Sequence, residues 1–185
     1  MLRKCRLIIC AITLMMLIQS SFAAIVLGNP KGKVTLDFVY DYQCVHCHHM
    51  YPKILKLIDH NPNLKVRMMP VAILGHMSLV EATAAIAAAT HPGKYQELTN
   101  FWMMVRPTSE KEVNKSLKIF GLGSKAFAKS MHSKMVEEQL NESMKVLGQD
   151  GTPVMVVYPS NQLQQSRRFV GSKQYKTINE AINHA

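Results

Sequence analysis

Residues 34–47 read VTLDFVYDYQCVHC, and they join an expected strand to a pair of cysteines. Apolar side chains alternate from Val34 to Tyr40, which is the period-two pattern of a β-strand. A short polar turn follows, and helix-like sequence begins at Cys44. Cys44 and Cys47 are therefore predicted at the start of a helix that directly follows a strand.

The elements predicted along the rest of the chain place a helical block between two mixed halves. The breaker Asn61-Pro62-Asn63 separates the first helix from a second strand, and parallel pairing of the two strands needs such a crossover. Ser109 and Glu112 have the spacing of a capping box, and Gly148 is placed to end the block. The order predicts an α/β fold, β-α-β, inserted helical lobe, β-β-α, with these elements: a strand at 34–40, a helix at 44–59, a strand at 64–69, helical sequence over 78–147, strands at 154–158 and 167–170, and a helix at 175–183.

The N-terminus has the charged, apolar and small residues of a secretory signal peptide in the expected order. Three basic residues lie before the apolar stretch Leu7–Ile18, and Ser21-Phe22-Ala23 supplies the small residues of a cleavage site. The apolar stretch is shorter than the ~20 residues that span a bilayer, so a retained membrane anchor is the less favoured alternative. We expect cleavage after Ala23, which leaves Cys44 and Cys47 as the two cysteines of the exported protein.

The charge of the chain argues against nucleic acid as its partner. The formal charge falls from +10 to +7 when residues 1–23 are removed, because they contain three basic and no acidic residues. The remaining lysines and arginines are scattered, the longest clusters being pairs such as Arg167-Arg168, and no nucleic-acid-binding motif accompanies them. Solubility or attraction to an anionic membrane surface is the favoured interpretation of the charge.

The position of the two cysteines predicts thiol–disulfide exchange. N–H groups and the positive dipole end at a helix N-terminus stabilise an anion, so the pKa of Cys44 is expected below the free value of about 8.5. Cys47, one turn further along, is expected to be more buried and within disulfide reach. Cys44 would form the mixed disulfide and Cys47 would resolve it. A structural disulfide, or half of a metal site, is the alternative interpretation.

His46 and the segment Gly151-Thr152-Pro153 are further candidates. The ring or the N–H of His46 is placed to stabilise a thiolate, and a solvent-exposed helix residue is the less favoured alternative. Thr152-Pro153 leads into the third expected strand. A cis bond before proline has a low cost, but the residues alone support only a turn before a strand.

A metal site is a competing hypothesis for the same region. His46, His48 and His49 lie beside the two cysteines, and thiolates with imidazoles are ligands that suit zinc and copper. All these residues crowd into one short segment, and a second ligand pair typical of structural zinc sites is missing. We therefore expect no metal and no cofactor other than a redox-active Cys44–Cys47 disulfide.

Two methionine pairs also allow a functional and a structural interpretation. Met68-Met69 and Met103-Met104 are candidates for an adaptable surface that accepts varied substrates. Core filling is the favoured interpretation for most of these side chains.

The combined pattern resembles the DsbA family of periplasmic thiol:disulfide oxidoreductases in the thioredoxin superfamily. The resemblance rests on Asp37-Phe38, on the segment from Asp41 to Cys47, and on Gly151-Thr152-Pro153, and it extends to Gly121-Leu122-Gly123 and Val146-Leu147-Gly148. It implies a thioredoxin fold with an inserted helical domain. The expected division is a signal peptide over 1–23, a thioredoxin-like domain over 24–76 and 148–185, and an inserted helical domain over 77–147.

The resemblance also implies roles for individual residues. Cys44 would be the nucleophile, Cys47 the resolving thiol, and Thr152-Pro153 a cis-proline loop. Asp37 occupies the strand on which family members often carry an acid near the buried thiol, where it would help take the proton from Cys47. The alternative for Asp37 is an ordinary polar residue on the second face of the strand.

The implied activity is transfer of a disulfide to reduced or unfolded exported proteins in the periplasm. A membrane partner like the quinone-linked DsbB would reoxidise the protein, and we expect a monomer. Val45 departs from the family pattern, which commonly has proline there, so isomerase or reductase activity on the same fold is the alternative. A metal carrier or a holding chaperone is a third, less favoured class.

Overall fold

A five-stranded mixed sheet forms the centre of the computed structural model, which describes residues 24–185. The predicted signal peptide and its cleavage after Ala23 lie outside the described residues. The sheet has the order β1-β3-β2-β4-β5, with β2 and β3 parallel and the other pairs antiparallel. Its strands are β1 (Val26–Gly28), β2 (Val34–Tyr40), β3 (Leu64–Pro70), β4 (Val154–Pro159) and β5 (Arg167–Val170).

Seven α-helices accompany the sheet in the described part of the chain. They are α1 (Val45–His60), α2 (His76–Ala88), α3 (Lys94–Val105), α4 (Glu110–Ile119), α5 (Lys125–Ser130), α6 (Lys134–Leu147) and α7 (Tyr175–Asn183). A short 3₁₀ helix, Leu163–Gln165, lies in the connection from β4 to β5. Over residues 24–185, no helix is both long enough and apolar enough to cross a membrane.

The predicted order of elements is confirmed, with one strand added at the start. Strand β1 was not predicted, because three residues are too few to display an alternating pattern. It pairs with β3, and the buried side chains of Leu27 and of Ile25, which directly precedes the strand, extend the core at that edge of the sheet. The predicted division at residues 76–77 and 147–148 stays a prediction.

Serine side chains start three consecutive helices of the inserted lobe. Ser109, Ser124 and Ser133 each accept a hydrogen bond from the N–H three residues later, which satisfies a free donor at the helix start. The predicted capping box is half formed, since the Glu112 carboxylate accepts from the N–H of Thr108 rather than from that of Ser109. The last of these helices ends at Gly148, whose φ of 67° lies in the left-handed region.

Alternation along β2 divides the core between the two faces of the sheet. Leu36, Phe38 and Tyr40 belong to a cluster that includes the inner side of α1 and α7 and continues into the inserted lobe. Val39 points to the opposite face, where it joins a smaller cluster that includes Leu147 of α6. One face of β2 therefore carries the cysteine-bearing helix, and the other is covered by α6.

Hydrogen bonds between aromatic side chains connect the sheet to the lobe. The hydroxyl of Tyr40 lies 2.9 Å from that of Tyr42 and 2.5 Å from that of Tyr95 on α3, and Tyr42 continues to Thr99 at 2.7 Å. All four side chains are buried. Buried hydroxyls that bond one another fix the position of α3 without leaving a polar group unpaired.

Gly32 provides a test of the packing at the newly found edge. A β-carbon added there would lie 2.8 Å from the backbone nitrogen of Lys65 and closer still to the carbonyl of Asn63. Because backbone atoms cannot rotate away, we expect Gly32→Ala to lower the free energy of unfolding by about 2 kcal/mol in urea denaturation. Lys31→Ala is the matched control, since its exposed side chain lies in the same loop. Equal stability of the two variants would contradict the packing described here.

Candidate active site

The turn between β2 and α1 is held by the buried carboxylate of Asp41. One oxygen accepts from the N–H of Gln43 at 2.8 Å and from the hydroxyl of Ser78 at 2.7 Å. The other oxygen accepts from the N–H groups of Ile73 and Leu74 at 2.9 and 3.2 Å. Four donors on one carboxylate join the turn to the connection after β3 and to α2.

Cys44 occupies the N-cap position of α1. Its own N–H donates to the carbonyl of Asp41 at 3.1 Å, and its carbonyl accepts the N–H of Cys47 at 2.9 Å, as at a regular helix start. No side chain caps this helix, and its first turn contains no acidic residue. The free N–H groups and the positive dipole end are thus directed toward the Cys44 sulfur.

The position of Cys44 at the helix N-terminus favours its thiolate form. A hydrogen bond from the Cys47 thiol is the largest cause that lowers the pKa of Cys44 to about 5, with further contributions from the Thr152 side chain and from the N–H groups of Cys47 and His46. Burial acts in the opposite direction, since the residue is only 7% exposed. At neutral pH the sulfur is therefore an anion that takes the place of a capping side chain.

Cys47 has the opposite character. Its side chain is fully buried, and burial raises the pKa of its thiol far above the ordinary value, followed by the hydrogen bond with Cys44. Both cysteines are free in this structure. The pair thus combines a reachable anion with a buried thiol that keeps its proton.

The Thr152-Pro153 segment lies against the cysteines. The peptide bond between these residues is cis, and the carbonyl oxygen of Thr152 lies 3.3 Å from the sulfur of Cys44. The carbonyl of Pro153 accepts the N–H of Gly171 at the end of β5. The two segments that were singled out in the sequence, more than one hundred residues apart, meet at this point.

His46 and Val45 lie on the exposed side of the first helical turn. The contribution of His46 to the thiolate comes from its backbone N–H, and no hydrogen bond of its ring is found within residues 24–185. Val45 is 47% exposed beside Cys44. The group of His46 that acts on Cys44 is therefore its main-chain N–H.

The ring of His48 is fixed between two carbonyl groups. One nitrogen lies 2.8 Å from the carbonyl oxygen of Met103 at the end of α3, and the other lies 2.7 Å from that of Tyr42. Each ring nitrogen thus lies within hydrogen-bond distance of a main-chain carbonyl oxygen. Among the described residues, no group of three or more His, Cys, Asp or Glu side chains is arranged to hold a metal ion.

The methionine pairs divide between core and surface. Met68, Met69 and Met103 are buried, whereas Met104 is strongly exposed at the end of α3. Core filling is confirmed for three of the four side chains, and Met104 alone is free to contact a partner.

Asp37 is not where the resemblance implies. Its carboxylate lies 3.5 Å from the guanidinium of Arg67 and accepts from the hydroxyl of Tyr158 at 3.2 Å, on the face of the sheet covered by α6. Burial raises the pKa of Asp37, and Arg67 opposes that rise. Side chains alternate between faces along a strand, so a residue next to Phe38 cannot point to the face that carries α1. This position favours the plain interpretation of Asp37, and its help to Cys47 stays a prediction.

Asp41, Gln43 and Glu81 are the site residues that the sequence did not reveal. The amide of Gln43 donates to the Glu81 carboxylate and to the carbonyl of Pro107, both at 2.8 Å. Asp41 was noted only as part of a turn. Its position three residues before Cys44 was the available signal, whereas Glu81 is joined to the site only by folding.

Comparisons with known proteins agree with this geometry. Residues 35–103 match the family model of the DSBA-like thioredoxin domain. A thioredoxin-like oxidoreductase from Silicibacter pomeroyi DSS-3 has 27% sequence identity and a TM-score of 0.78, with 87% of this chain and 91% of that chain covered. No curated protein matches the sequence significantly.

Two more distant structures share the fold. The thiol-disulfide exchange protein alpha-DsbA2 from Wolbachia pipientis has 23% identity and a TM-score of 0.75, with coverage of 89% of this chain and 88% of that one. ScsC from Proteus mirabilis has 17% identity and a TM-score of 0.74, with coverage of 89% and 72%. The predicted thioredoxin fold is confirmed.

The environment of Cys44 predicts its titration. We expect the ultraviolet absorbance of the thiolate in the reduced protein to appear with a midpoint near pH 5, because hydrogen bonds to sulfur favour the anion. Cys47→Ala removes the largest of these bonds and should move the midpoint upward. A midpoint near the free value of about 8.5 in the wild type would contradict the assignment.

The position of Asp37 across the sheet from α1 gives a second prediction. Asp37→Asn should leave the thiolate midpoint unchanged, because the side chain lies across the sheet from α1. Arg67 keeps its pairing with Glu142, so the free energy of unfolding should change by no more than about 1 kcal/mol. Cys47→Ala, measured alongside, shows that the titration is sensitive enough. A shifted midpoint in Asp37→Asn would restore a role for this acid.

Proposed function

We propose that the chain works as a thiol oxidase that donates the Cys44–Cys47 disulfide to exported proteins, because residues 35–103 match the DSBA-like thioredoxin domain and a solved thioredoxin-like oxidoreductase shares the fold. The contrast between the two cysteines carries the proposal. The pKa of Cys44 is lowered to about 5 and that of Cys47 is raised by burial. Stabilising the reduced form makes the disulfide a stronger oxidant.

The reaction takes two exchange steps. A substrate thiolate attacks the Cys44 sulfur, the Cys44–Cys47 bond breaks, and the sulfur of Cys47 takes up a proton, as its raised pKa favours. A second substrate thiolate then attacks the substrate sulfur of the mixed disulfide. Cys44 leaves as a stable thiolate, two electrons have passed to the protein, and the substrate carries the new disulfide.

An apolar rim around Cys44 supports polypeptide substrates. We define this rim by the exposed side chains of Val45, Ile73, Leu74, Met104 and Val105. The N–H groups of two of them bond to Asp41, and the carbonyl that precedes Met104 faces the ring of His48. Exposed apolar side chains at such a site match the apolar segments that an unfolded protein presents.

The Thr152 carbonyl supplies the polar part of the same surface. It lies beside the Cys44 sulfur at the start of β4, so an extended substrate segment next to a reacting cysteine can pair with main-chain groups. Main-chain pairing is independent of substrate sequence, as a protein with many substrates requires.

The setting of the reaction is part of the proposal. The predicted signal peptide supports export to the periplasm, where reduced or unfolded proteins are the substrates. Reoxidation would come from a quinone-linked membrane partner like DsbB. We propose that the protein acts as a monomer.

Isomerase or reductase activity is the second candidate, and Val45 is the observation that favours it. Valine restores a backbone N–H at the first position of α1, where the common family pattern has proline. Its exposed side chain also adds apolar surface beside the nucleophile. The direction of electron flow in the cell distinguishes a thiol oxidase from an isomerase or reductase.

Trapping of thiols in intact cells tests the direction. We expect most of the wild-type protein to carry the disulfide at steady state, because an oxidase is reoxidised after each turnover. A mostly reduced protein would support the isomerase or reductase instead. Acid quenching followed by a mass-adding thiol reagent and electrophoresis gives the fraction directly.

Matched variants identify the reacting sulfur. Cys47→Ala should accumulate mixed disulfides with exported proteins, since the second thiol is missing, whereas Cys44→Ser should accumulate none. A cellular role that survives replacement of both cysteines would point to a metal carrier or chaperone.

A further inference from the structure

Glu81 on α2 is a buried acid for which the exchange reaction has no use. Its side chain is fully buried, one carboxylate oxygen accepts from the Gln43 amide at 2.8 Å, and the other has no hydrogen-bond partner among the described residues. A buried carboxylate with half of its acceptors unsatisfied costs free energy. Such an exception calls for an explanation other than stability.

Gln43 connects this acid to the reacting cysteine. Its amide nitrogen donates to both Glu81 and the carbonyl of Pro107, and its backbone N–H donates to the carboxylate of Asp41. Both ends of the residue are thereby fixed. Because Gln43 directly precedes Cys44, a change in its hydrogen bonds moves the main chain that carries the nucleophile.

Burial is the main reason why the pKa of Glu81 lies near neutrality. Burial raises the pKa of Glu81 to about 7, the hydrogen bond from Gln43 lowers it, the charge of Asp41 raises it, and Arg106 lowers it. The charge of Glu81 also contributes to the raised pKa of the buried Tyr42 hydroxyl. On the other helices packed on α2, Glu110 of α4 and Glu137 of α6 border a separate groove lined by Leu79, Val80 and Thr83.

Arg106 is held in an unusual conformation where it acts on Glu81. It ends α3 with a φ of 49°, and it is the non-glycine residue with positive φ in the part of the chain that the structure describes. That region of conformation is disfavoured for a long side chain. Arg106 directly precedes Pro107, whose carbonyl accepts from the Gln43 amide.

We propose that Glu81 is a positioning residue for Cys44, and that its gain or loss of a proton changes the reactivity of the Cys44 sulfur through Gln43. The proposal rests on Cys44 being the reactive sulfur of the proposed function, but not on the direction of electron flow. Cys44 itself is already a thiolate well below neutrality, so its own titration cannot produce a change near pH 7.

The direction of the effect follows from charge and bonding. Ionised Glu81 binds Gln43 by a charge-assisted hydrogen bond and adds a negative charge behind the turn. Both changes make the Cys44 thiolate less stable and more nucleophilic. If the proton affinity of Cys44 rises tenfold, a Brønsted coefficient of 0.4–0.5 gives a rate increase of about threefold.

Alkylation of the reduced full-length exported protein by iodoacetamide measures this effect without a protein substrate. Cys47 is fully buried, so the rate reports Cys44. Between about pH 6 and pH 8.5 we expect the wild-type rate to rise about threefold with a midpoint near 7. Glu81→Gln keeps an acceptor for Gln43 but cannot ionise, so its rate should stay at the low-pH value throughout.

The controls separate this proposal from general effects on stability. Glu97→Gln removes an exposed acid paired with Lys94 and should show the wild-type profile. Gln43→Ala leaves the Glu81 charge in place but removes the hydrogen-bond connection, so its rate should rise less between about pH 6 and pH 8.5 than that of the wild type. This second variant keeps the test decisive if Glu81→Gln folds poorly.

The possible failures are distinguishable. A flat wild-type profile, or the same midpoint in Glu81→Gln as in the wild type, would overturn the role of Glu81 while leaving Cys44 as the nucleophile. Absence of alkylation at Cys44 in every variant would overturn both this proposal and the proposed function.

Discussion

The carboxylate of Asp41 is the constraint on which the site depends. A strand that passes directly into a helix leaves a turn whose N–H groups need acceptors, and Asp41 accepts four hydrogen bonds there. Two of these come from the connection after β3 and one from α2. The start of α1, the loop beside it and the inserted lobe are therefore fixed by one buried group, and the position of Cys44 follows from that.

With the helix start fixed, the two sulfurs acquire opposite properties from their hydrogen bonds and their depth. Cys44 lies at the cap, where helix N–H groups and the neighbouring thiol stabilise charge. Cys47 lies one turn inside, where desolvation penalises charge. Separation of proton affinities within one short motif is the feature that allows directional exchange, because one sulfur leaves easily and the other retains its proton.

Local pattern predicted most of the fold, while contacts between distant elements escaped prediction. Strand β2, helix α1 and the Ser109 cap could be predicted from the sequence. Alternation, helix breakers and capping residues depend on neighbours only a few positions away along the chain. The face that Asp37 occupies also follows from the alternation along β2, while its role toward Cys47 stays a prediction. Glu81 could not be found from sequence at all, since an acid on a helix is usually exposed and only packing buries it beside Gln43.

The apolar rim is attached to the site through the main chain rather than through its side chains. Asp41 binds the N–H groups of Ile73 and Leu74, while His48 and Gln43 face the carbonyls of Met103 and Pro107. Any residue other than proline supplies the same N–H, and every residue supplies the same carbonyl. Amino-acid replacement around the nucleophile can therefore alter the preference for clients during evolution without disturbing the chemistry, so recognition and catalysis are free to diverge independently in this protein.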